Sequence, residues 1–246
     1  MKITFFGTSD GIPRVGHFCT STMIEVGENV YVVDGGAPVA DLLLKNGKHP
    51  NQVKAFFNTH GHSDHLDGLM QLITLCGWAY KDAAFDLLLP EQCIGDAFVS
   101  YVETLTGTAF PSDRLRMRVF GEGIVYDDGV LKVTAFRTYH CDPRPSYAFL
   151  FEGDGKQLLI SGDLSQFLHK DDVPAPVTQG DLDLFVCEMA HFGEEHILPY
   201  LEKCTAKRVM FNHYQLRKEA DIAHLAEAGR FPFPVSAALD GEVVEL

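Results

Sequence analysis

Short apolar runs separated by tight turns dominate the first third of the chain. Ile3–Phe6, Ser21–Val26 and Val30–Val33 are predicted strands, and a Gly-Glu-Asn turn joins the last two. Val53–Phe57 is a further predicted strand, and a cluster of histidines begins soon after it. Leu66–Leu75 has apolar residues at helical spacing and is a predicted helix.

The second half of the chain repeats this order of strands followed by helices. Val130–Phe136, Tyr147–Phe151 and Gln157–Ile160 are predicted strands, whereas Glu194–Cys204 and Lys218–Ala228 are predicted helices. Neither half shows a short-period repeat or a low-complexity linker. Two β-rich halves with outer helices indicate an α/β fold in which two sheets pack face to face and helices cover them.

The composition is that of an ordinary globular protein, with 46% hydrophobic and 22% charged residues. The net charge of −14 argues against a broad nucleic-acid surface, because proteins bind phosphate backbones with clustered Lys and Arg. A small phosphate ester held by metal ions stays compatible with this charge. We therefore expect a small-molecule substrate and do not expect nucleic acid as a partner.

Cysteine usage and the absence of long apolar windows favour the cytoplasm. The six cysteines include no C-x-x-C pair, and we expect buried, reduced thiols. The first residues resemble a strand and not a signal peptide, and no window approaches the ~18 apolar residues of a membrane span. The sequence leaves the oligomeric state open, with a homodimer as the commonest assembly.

The most informative segment lies between the predicted strand Val53–Phe57 and the predicted helix Leu66–Leu75. It contains four side chains of metal-ligand type, namely His60, His62, Asp64 and His65. Imidazole and carboxylate groups are natural ligands for zinc, manganese or iron. One or two histidines in a polar loop would be solvated, but this dense arrangement rarely arises for packing reasons. We therefore interpret the segment as a metal site.

The same segment resembles the H-x-H-x-D-H motif of the metallo-β-lactamase superfamily. That family pattern continues with a lone His, an Asp at a strand end and a late His, which match His140, Asp163 and His213. The resemblance implies a four-layer αββα sandwich. It also implies a single domain over residues 1–246, with pseudo-symmetric halves of about 1–118 and 119–246.

The resemblance further implies a ligand set for two divalent metal ions, with zinc expected and manganese or iron as alternatives. His60, His62 and His140 would hold one ion, Asp64, His65 and His213 the other, and Asp163 would bridge them. The implied reaction is hydrolysis by a hydroxide between the ions, with Asp64 also counted among the catalytic residues. We expect Asp34 to support a ligand imidazole and Asp67 to be a helix-surface residue.

Two further segments resemble the ribonuclease Z and phosphodiesterase branch of this superfamily. Phe6–Pro13 matches its opening G-T-x-x-G-x-P pattern, and Cys187–Gly193 resembles a segment that assists proton transfer. By this resemblance, His191 would protonate the leaving oxygen and Glu188 would orient His191. The alternative is that His191 only borders the helix predicted from Glu194 onward.

The stretch Leu89–Arg118 lacks the basic, Gly-rich arm with which ribonuclease Z grips tRNA. We therefore expect hydrolysis of a small phosphodiester or related ester. The alternatives are a thioester, lactone or β-lactam hydrolase, a tRNA 3′ processing endonuclease, and a metal-bound ligand sensor without turnover. The neighbours of His140 offer phosphate-binding candidates in Arg137, Tyr139 and Arg144, although surface ion pairing is the simpler role for an arginine. Three histidines outside the pattern are expected to be exposed, namely His169, His196 and His224.

Overall fold

The computed structural model describes residues 1–12, 14–168, 172–227 and 229–246. In these ranges the strands are β1 (Lys2–Gly7), β2 (Ser21–Val26), β3 (Asn29–Val33), β4 (Val53–Phe57), β5 (Phe85–Leu89), β6 (Leu115–Val119), β7 (Gly123–Asp127), β8 (Lys132–Thr138), β9 (Ser146–Gly153), β10 (Lys156–Ile160), β11 (Leu184–Met189), β12 (Val209–Tyr214), β13 (Val235–Ala237) and β14 (Val243–Glu245). The helices are α1 (Val39–Lys45), α2 (Asp67–Trp78), α3 (Gln92–Thr106), α4 (Pro176–Gln179), α5 (Glu194–Leu201) and α6 (Glu219–Leu225). Short 3₁₀ helices cover Pro50–Gln52, Ser63–His65 and Leu216–Lys218.

The strands form two seven-stranded sheets. The first sheet has the order β14-β1-β2-β3-β4-β5-β6, and the second has the order β13-β12-β11-β10-β9-β8-β7. Because β14 returns to pair with β1, the chain ends in the sheet in which it began. Apart from β14, every strand of the first sheet precedes residue 120, and every strand of the second sheet follows residue 122. The two sheets therefore correspond closely to the two predicted halves.

Adjacent residues of β4 show how the layers are built, because successive side chains of a strand point to opposite faces. Phe57 packs between the sheets, with its ring centroid 5.8 Å from that of Phe149 and 5.5 Å from that of Phe151. Phe56 faces the other way, into a core shared with Leu69 of α2 and other helix residues. The two sheets therefore share one inner core around Phe57. A separate outer core around Phe56 lies between the first sheet and the helices of the first half.

A corresponding outer core covers the second sheet. Phe185 of β11 and Phe211 of β12 are fully buried there with Ile197 of α5 and Ile222 of α6. Helix, sheet, sheet and helix thus form four layers, which confirms the predicted αββα sandwich. No helix in the described part of the chain is both long enough and apolar enough to cross a membrane.

Two predicted helices are longer than the observed ones. Helix α5 ends at Leu201 and not at Cys204, because the amides of Lys203 and Cys204 donate to carbonyls three residues earlier and close separate turns. Helix α6 begins at Glu219 because the preceding residues form a 3₁₀ helix. The predicted end of that helix at Ala228 lies outside the described residues.

The strand order also places the polar loops of both halves together. Strands β3 and β4 are parallel neighbours in the first sheet, and β10, β11 and β12 are parallel neighbours in the second. Because parallel strands end at the same edge of a sheet, the segments that follow them converge on one rim of the sandwich. Six of the seven predicted ligands lie on or beside these segments, and the seventh, His140, follows β8.

Candidate metal centre

The seven predicted ligands come from five segments of the chain. His60 and His62 lie in the loop after β4, and Asp64 and His65 in the 3₁₀ helix before α2. The remaining three follow or end strands of the second sheet: His140 after β8, Asp163 after β10, and His213 within the last two residues of β12. The structure brings all seven side chains together at the shared rim.

The first half-site consists of His60, His62 and His140. His62 Nδ1 lies 3.0 Å from His60 Nε2 and 3.2 Å from His140 Nε2. These separations between nitrogen atoms suit three imidazoles that point at one cation, which at Zn–N distances of about 2.0–2.1 Å would lie among them. His60 is fully buried, whereas His62 is exposed.

The second half-site consists of Asp64, His65 and His213. Asp64 Oδ2 lies 3.6 Å from His65 Nε2 and 3.9 Å from His213 Nε2. Both histidines are buried. The three potential ligand atoms of this group therefore converge in the same way as those of the first half-site.

Asp163 lies between the two half-sites and is buried, with 2% of its surface exposed. Its Oδ1 is 3.4 Å from His65 Nε2, and its Oδ2 is 3.6 Å from His140 Nε2. Oδ2 is also 3.2 Å from His213 Nε2. A carboxylate in this position can offer one oxygen to each of two neighbouring cations.

The chemistry of the buried atoms fits two metal ions. His65 Nε2 and Asp163 Oδ1 are buried, and neither has a hydrogen-bond partner among the described residues. Buried polar atoms are normally paired, because an unpaired one costs roughly 1–3 kcal/mol. Metal ligation would satisfy both atoms, and the donor set of imidazoles and carboxylates is the one that zinc uses in catalytic sites.

Asp34 supports the second half-site from behind, as the sequence predicts. Its Oδ2 lies 2.8 Å from His65 Nδ1, so Nε2 of the same ring faces the metal position. Thr59 fixes the carboxylate in turn, because its amide donates to Oδ1 and its hydroxyl to Oδ2, each at 2.9 Å. Asp34 adopts a left-handed backbone with φ 55°, a conformation that is costly for a residue other than glycine and is often found at functional sites.

Burial and the carboxylates set the charge of the imidazoles. Burial, reinforced by the charge of His65, holds the pKa of His60 well below its usual range. Burial also opposes a charge on His65, but Asp163 and Asp34 outweigh it and raise the pKa of His65 well above the usual range. The pKa of Asp163 is held well below its usual range because His213 and His65 overcome the effect of burial.

Glu188 and His191 form a hydrogen-bonded pair beside the ligands. Glu188 Oε1 lies 2.8 Å from His191 Nδ1, and Oε2 accepts from the His191 amide at 3.2 Å. Burial opposes a charge on His191, but the bond to Glu188 and the charge of Asp163 raise its pKa to about 9. The His191 ring centroid is 4.4 Å from that of His140, which places this ionisable group next to the first half-site.

A cleft of about 740 Å³ opens from His140 and His191. Its far wall carries Phe167 and His196, whose ring centroids are 5.4 Å apart. The residues after β12 add polar and cationic side chains to the lining, namely Gln215, Arg217 and Lys218. This wall could not be predicted from the sequence, because its residues are distant in the chain and match no motif.

The two arginine candidates for phosphate binding near His140, Arg137 and Arg144, are engaged elsewhere. Arg144 Nη2 lies 2.8 Å from Glu91 Oε1 in an ion pair. Arg137 Nη2 donates to the Arg144 carbonyl oxygen at 2.8 Å, and its guanidinium lies over the Tyr147 ring. The amide of Tyr139 donates to Asp172 Oδ1 at 2.8 Å.

Other residues singled out from the sequence lie as follows. Asp67 and His224 are exposed, as expected, but His196 is half-buried at the cleft. His169 and Pro13 lie outside the described residues. All six cysteines are free, and the expectation of burial is wrong for the three that are exposed or half-buried, namely Cys19, Cys93 and Cys141. Cys141 Sγ lies 3.9 Å from His62 Nε2, beside the first half-site.

The fold and this cluster define a protein of the metallo-β-lactamase fold. The structure of the metallo-β-lactamase fold protein YhfI from Bacillus subtilis superposes with a TM-score of 0.77 and 16% identity, covering 99% of each chain. The structure of the short form of human tRNase Z gives a TM-score of 0.74 and 19% identity, covering 100% of this chain and 99% of that one. More particularly, the model of the family described as Anti-Pycsar protein Apyc1 matches residues 1–231, and the chain belongs to this family.

The amino-acid sequence is also similar to those of ribonuclease Z proteins. Ribonuclease Z of Thermosynechococcus vestitus is 29% identical over 156 residues, which cover 63% of this chain and 37% of that protein. The chain thus matches less than half the length of this relative. The predicted resemblance to the ribonuclease Z-like branch is confirmed. The expectation that nucleic acid is not a partner finds no support in these similarities.

Proposed function

We propose that the protein is a dinuclear metal-dependent hydrolase that cleaves a small phosphodiester or a related ester. The observation that carries this proposal is the convergence of two ligand groups on the buried carboxylate of Asp163. His60, His62 and His140 would hold one ion, and Asp64, His65 and His213 the other. When bound, two divalent ions supply a water of near-neutral pKa and neutralise charge on the phosphoryl oxygens.

Zinc is the metal that we propose for both positions. Zinc binds imidazole and carboxylate ligands, and it tolerates soft neighbours such as the thiol of Cys141 near His62. Manganese and iron accept similar nitrogen and oxygen ligands and are the alternatives. Elemental analysis of the purified protein distinguishes these metals.

His191 is the proposed general acid for the leaving oxygen. With a pKa of about 9, its imidazole carries a proton at neutral pH. Glu188 accepts from Nδ1 and thereby fixes the ring, which leaves Nε2 as the nitrogen that can transfer a proton. His191 also lines the cleft, so a leaving group bound there would lie within its reach.

The cleft supports a small organic ester as the substrate. The lining carries both signs of charge, Arg217 and Lys218 against Glu195 and Asp221, and Phe167 adds an apolar ring. Lys218 Nζ lies 3.5 Å from Asp221 Oδ2 in an ion pair. The exposed guanidinium of Arg217 and the two metal ions would be the positive groups that attract an anionic substrate. We therefore place the non-reacting part of the ester against this wall.

The proposal is tested by hydrolysis of a bis-aryl phosphate by zinc-loaded protein. We expect His62→Ala to lower kcat/KM by at least about 100-fold, because it removes a ligand outright and loss of a mere supporting partner already costs ~10–100-fold. His224→Ala is the matched control, since this exposed histidine lies away from the cluster and pairs with Glu194. Equal activity of His62→Ala and the wild type would rule out the proposed centre.

A second candidate, tRNA 3′ processing, is favoured by the similarity to ribonuclease Z over 156 residues. The same preparation can be incubated with precursor tRNA and with a panel of thioesters, lactones and β-lactams. Metal-dependent, salt-sensitive cleavage of the tRNA, with no turnover of the bis-aryl phosphate, would replace the first candidate by the second. Tight retention of a small molecule without any hydrolysis would instead indicate a ligand sensor.

A further inference from the structure

Asp172 is a buried carboxylate that belongs to none of the groups described so far. Only 2% of its surface is exposed. Its Oδ1 accepts from the amide of Tyr139 at 2.8 Å, and its Oδ2 accepts a short hydrogen bond from the amide of Ser165. One side chain thus joins the segment that carries His140 to the segment that carries Asp163.

Other hydrogen bonds join these two segments at neighbouring positions. The Thr138 hydroxyl donates to the Asp163 carbonyl oxygen at 3.1 Å, and His140 Nδ1 lies 3.2 Å from the Leu164 carbonyl oxygen. Glu188 Oε1 accepts from the Leu164 amide at 2.9 Å, so the segment after Asp163 is held by two buried carboxylates. The relative position of His140 and Asp163 is therefore fixed by backbone contacts on both sides.

The amides of Tyr139 and Ser165 donate to different oxygens of Asp172, so this arrangement uses two acceptor atoms. A carboxylate provides them, whereas an asparagine in the same place provides one acceptor and one donor, and the donor would face an N–H group. Burying a carboxylate is costly unless its oxygens are hydrogen-bonded, and burial does raise the pKa of Asp172 against the effect of the two amides. A carboxylate at position 172 is therefore suited to hold the amides of Tyr139 and Ser165 together.

We propose that Asp172 is a positioning residue for the first metal position. It sets the distance between His140 and Asp163, whose Nε2 and Oδ2 atoms are 3.6 Å apart, and thereby sets the affinity for the ion that these residues share. Among the ligands specific to the second position, His65 is held by Asp34 and not by Asp172. This inference rests on the proposed metal centre and adds a residue that acts through the backbone.

The test is a chelator competition that resolves the two zinc equivalents of the full-length protein. We expect Asp172→Asn to weaken one equivalent by ~10-fold or more, the range measured for partners that orient ligands, and to weaken the other less, because there Asp163 alone is displaced and His140 is not a ligand. Asp183→Asn is the matched control, because Asp183 Oδ2 also accepts from a backbone amide, that of Gln157 at 2.9 Å, but at the opposite end of β10. The control should keep both affinities.

Thermal unfolding separates positioning from general stability. A positioning role predicts that Asp172→Asn reduces the gain in Tm that zinc gives to the wild type, because ligand stabilisation follows affinity. Equal loss of Tm in the metal-free and zinc-loaded forms, with unchanged affinities, would overturn the inference. If the wild type itself bound no metal, the proposed centre would fail instead.

Hydrogen exchange of the wild type keeps the inference testable should the variant not fold. If Asp172 positions the ligands in advance, the amides of Tyr139 and Ser165 should stay protected after zinc is removed. Exchange of both amides at the rate of exposed ones in the metal-free protein would show that the metal orders the segments, and not Asp172. That result would also overturn the inference.

Discussion

The two half-sites differ in how deeply their ligands are buried. In the second, His65 and His213 are buried, and the buried carboxylate of Asp34 holds the His65 ring at 2.8 Å. In the first, His60 is also buried, but His62 is exposed and borders the thiol of Cys141. One half-site is therefore part of the core, whereas the other faces the cleft.

This difference indicates that the two metal positions have different roles. The candidate acid His191 lies closer to the open half-site, with its ring centroid 4.4 Å from that of His140 and 5.9 Å from that of His213. The cleft opens on the same side. We therefore expect the open position to contact the substrate and exchange its ion readily, and the buried position to retain its ion.

The largest expected effect is on the open side. His191→Gln should lower kcat for an ester with a poor leaving group by roughly 100-fold, within the range for loss of general acid catalysis, while both zinc equivalents stay bound. Steady-state kinetics with alkyl and aryl leaving groups measure this, and the aryl ester should be affected less because its oxygen needs no proton. Equal losses for both esters would remove His191 as the acid.

A smaller effect is expected on the buried side. Asp34→Asn should weaken the second zinc equivalent by ~10-fold or more and the first equivalent less, since Asp34 contacts His65 directly but reaches His60 only through the Thr59 hydroxyl. The exposed Asp67→Asn serves as the control in the same helix-entry region. Chelator competition gives both affinities, and parallel weakening of the two would contradict the separation of the half-sites.

A further prediction concerns the pH dependence of the stability of the metal-free protein. The folded state raises the pKa of His191 from 6.5 to about 9, so folding binds a proton between these values. The resulting stabilisation is complete below pH 6.5 and is lost as the pH rises through about 9. Urea unfolding at pH 6.5 and pH 9 should show a larger decline for the wild type than for His191→Gln, and an equal decline in both proteins would refute the assignment.

The proximity of the candidate ligand side chains could be predicted from the sequence because they follow apolar strands closely, whereas their role as metal ligands stays a prediction. Strand alternation and the end of each strand place His60, Asp163 and His213 at one rim once the sheets pair. Asp172 could not be predicted in this way, since its contacts with Tyr139 and Ser165 depend on loop conformation, which chain spacing does not encode.

The cleft wall and the helix ends escaped prediction for related reasons. Phe167 and Arg217 meet at one cavity only because two loops from different parts of the second half pack together. Helix α5 stops early because local turns compete successfully with the last helical hydrogen bonds, a balance that residue periodicity does not reveal. The periodicity of apolar residues thus predicted the layers and the strand ends, whereas the contacts between loops could not be predicted from it.

The ligands arise from both sheets, four from the first half of the chain and three from the second. Ions bound among them would therefore act as a cross-link between distant parts of the polypeptide, in addition to any chemical role. Since such ions bind the native state and not the separated halves, their removal should loosen the seam between the sheets before it disturbs either sheet alone. The protein would then be able to bind its metal ions, and so to catalyse the reaction, only while the two sheets are packed together.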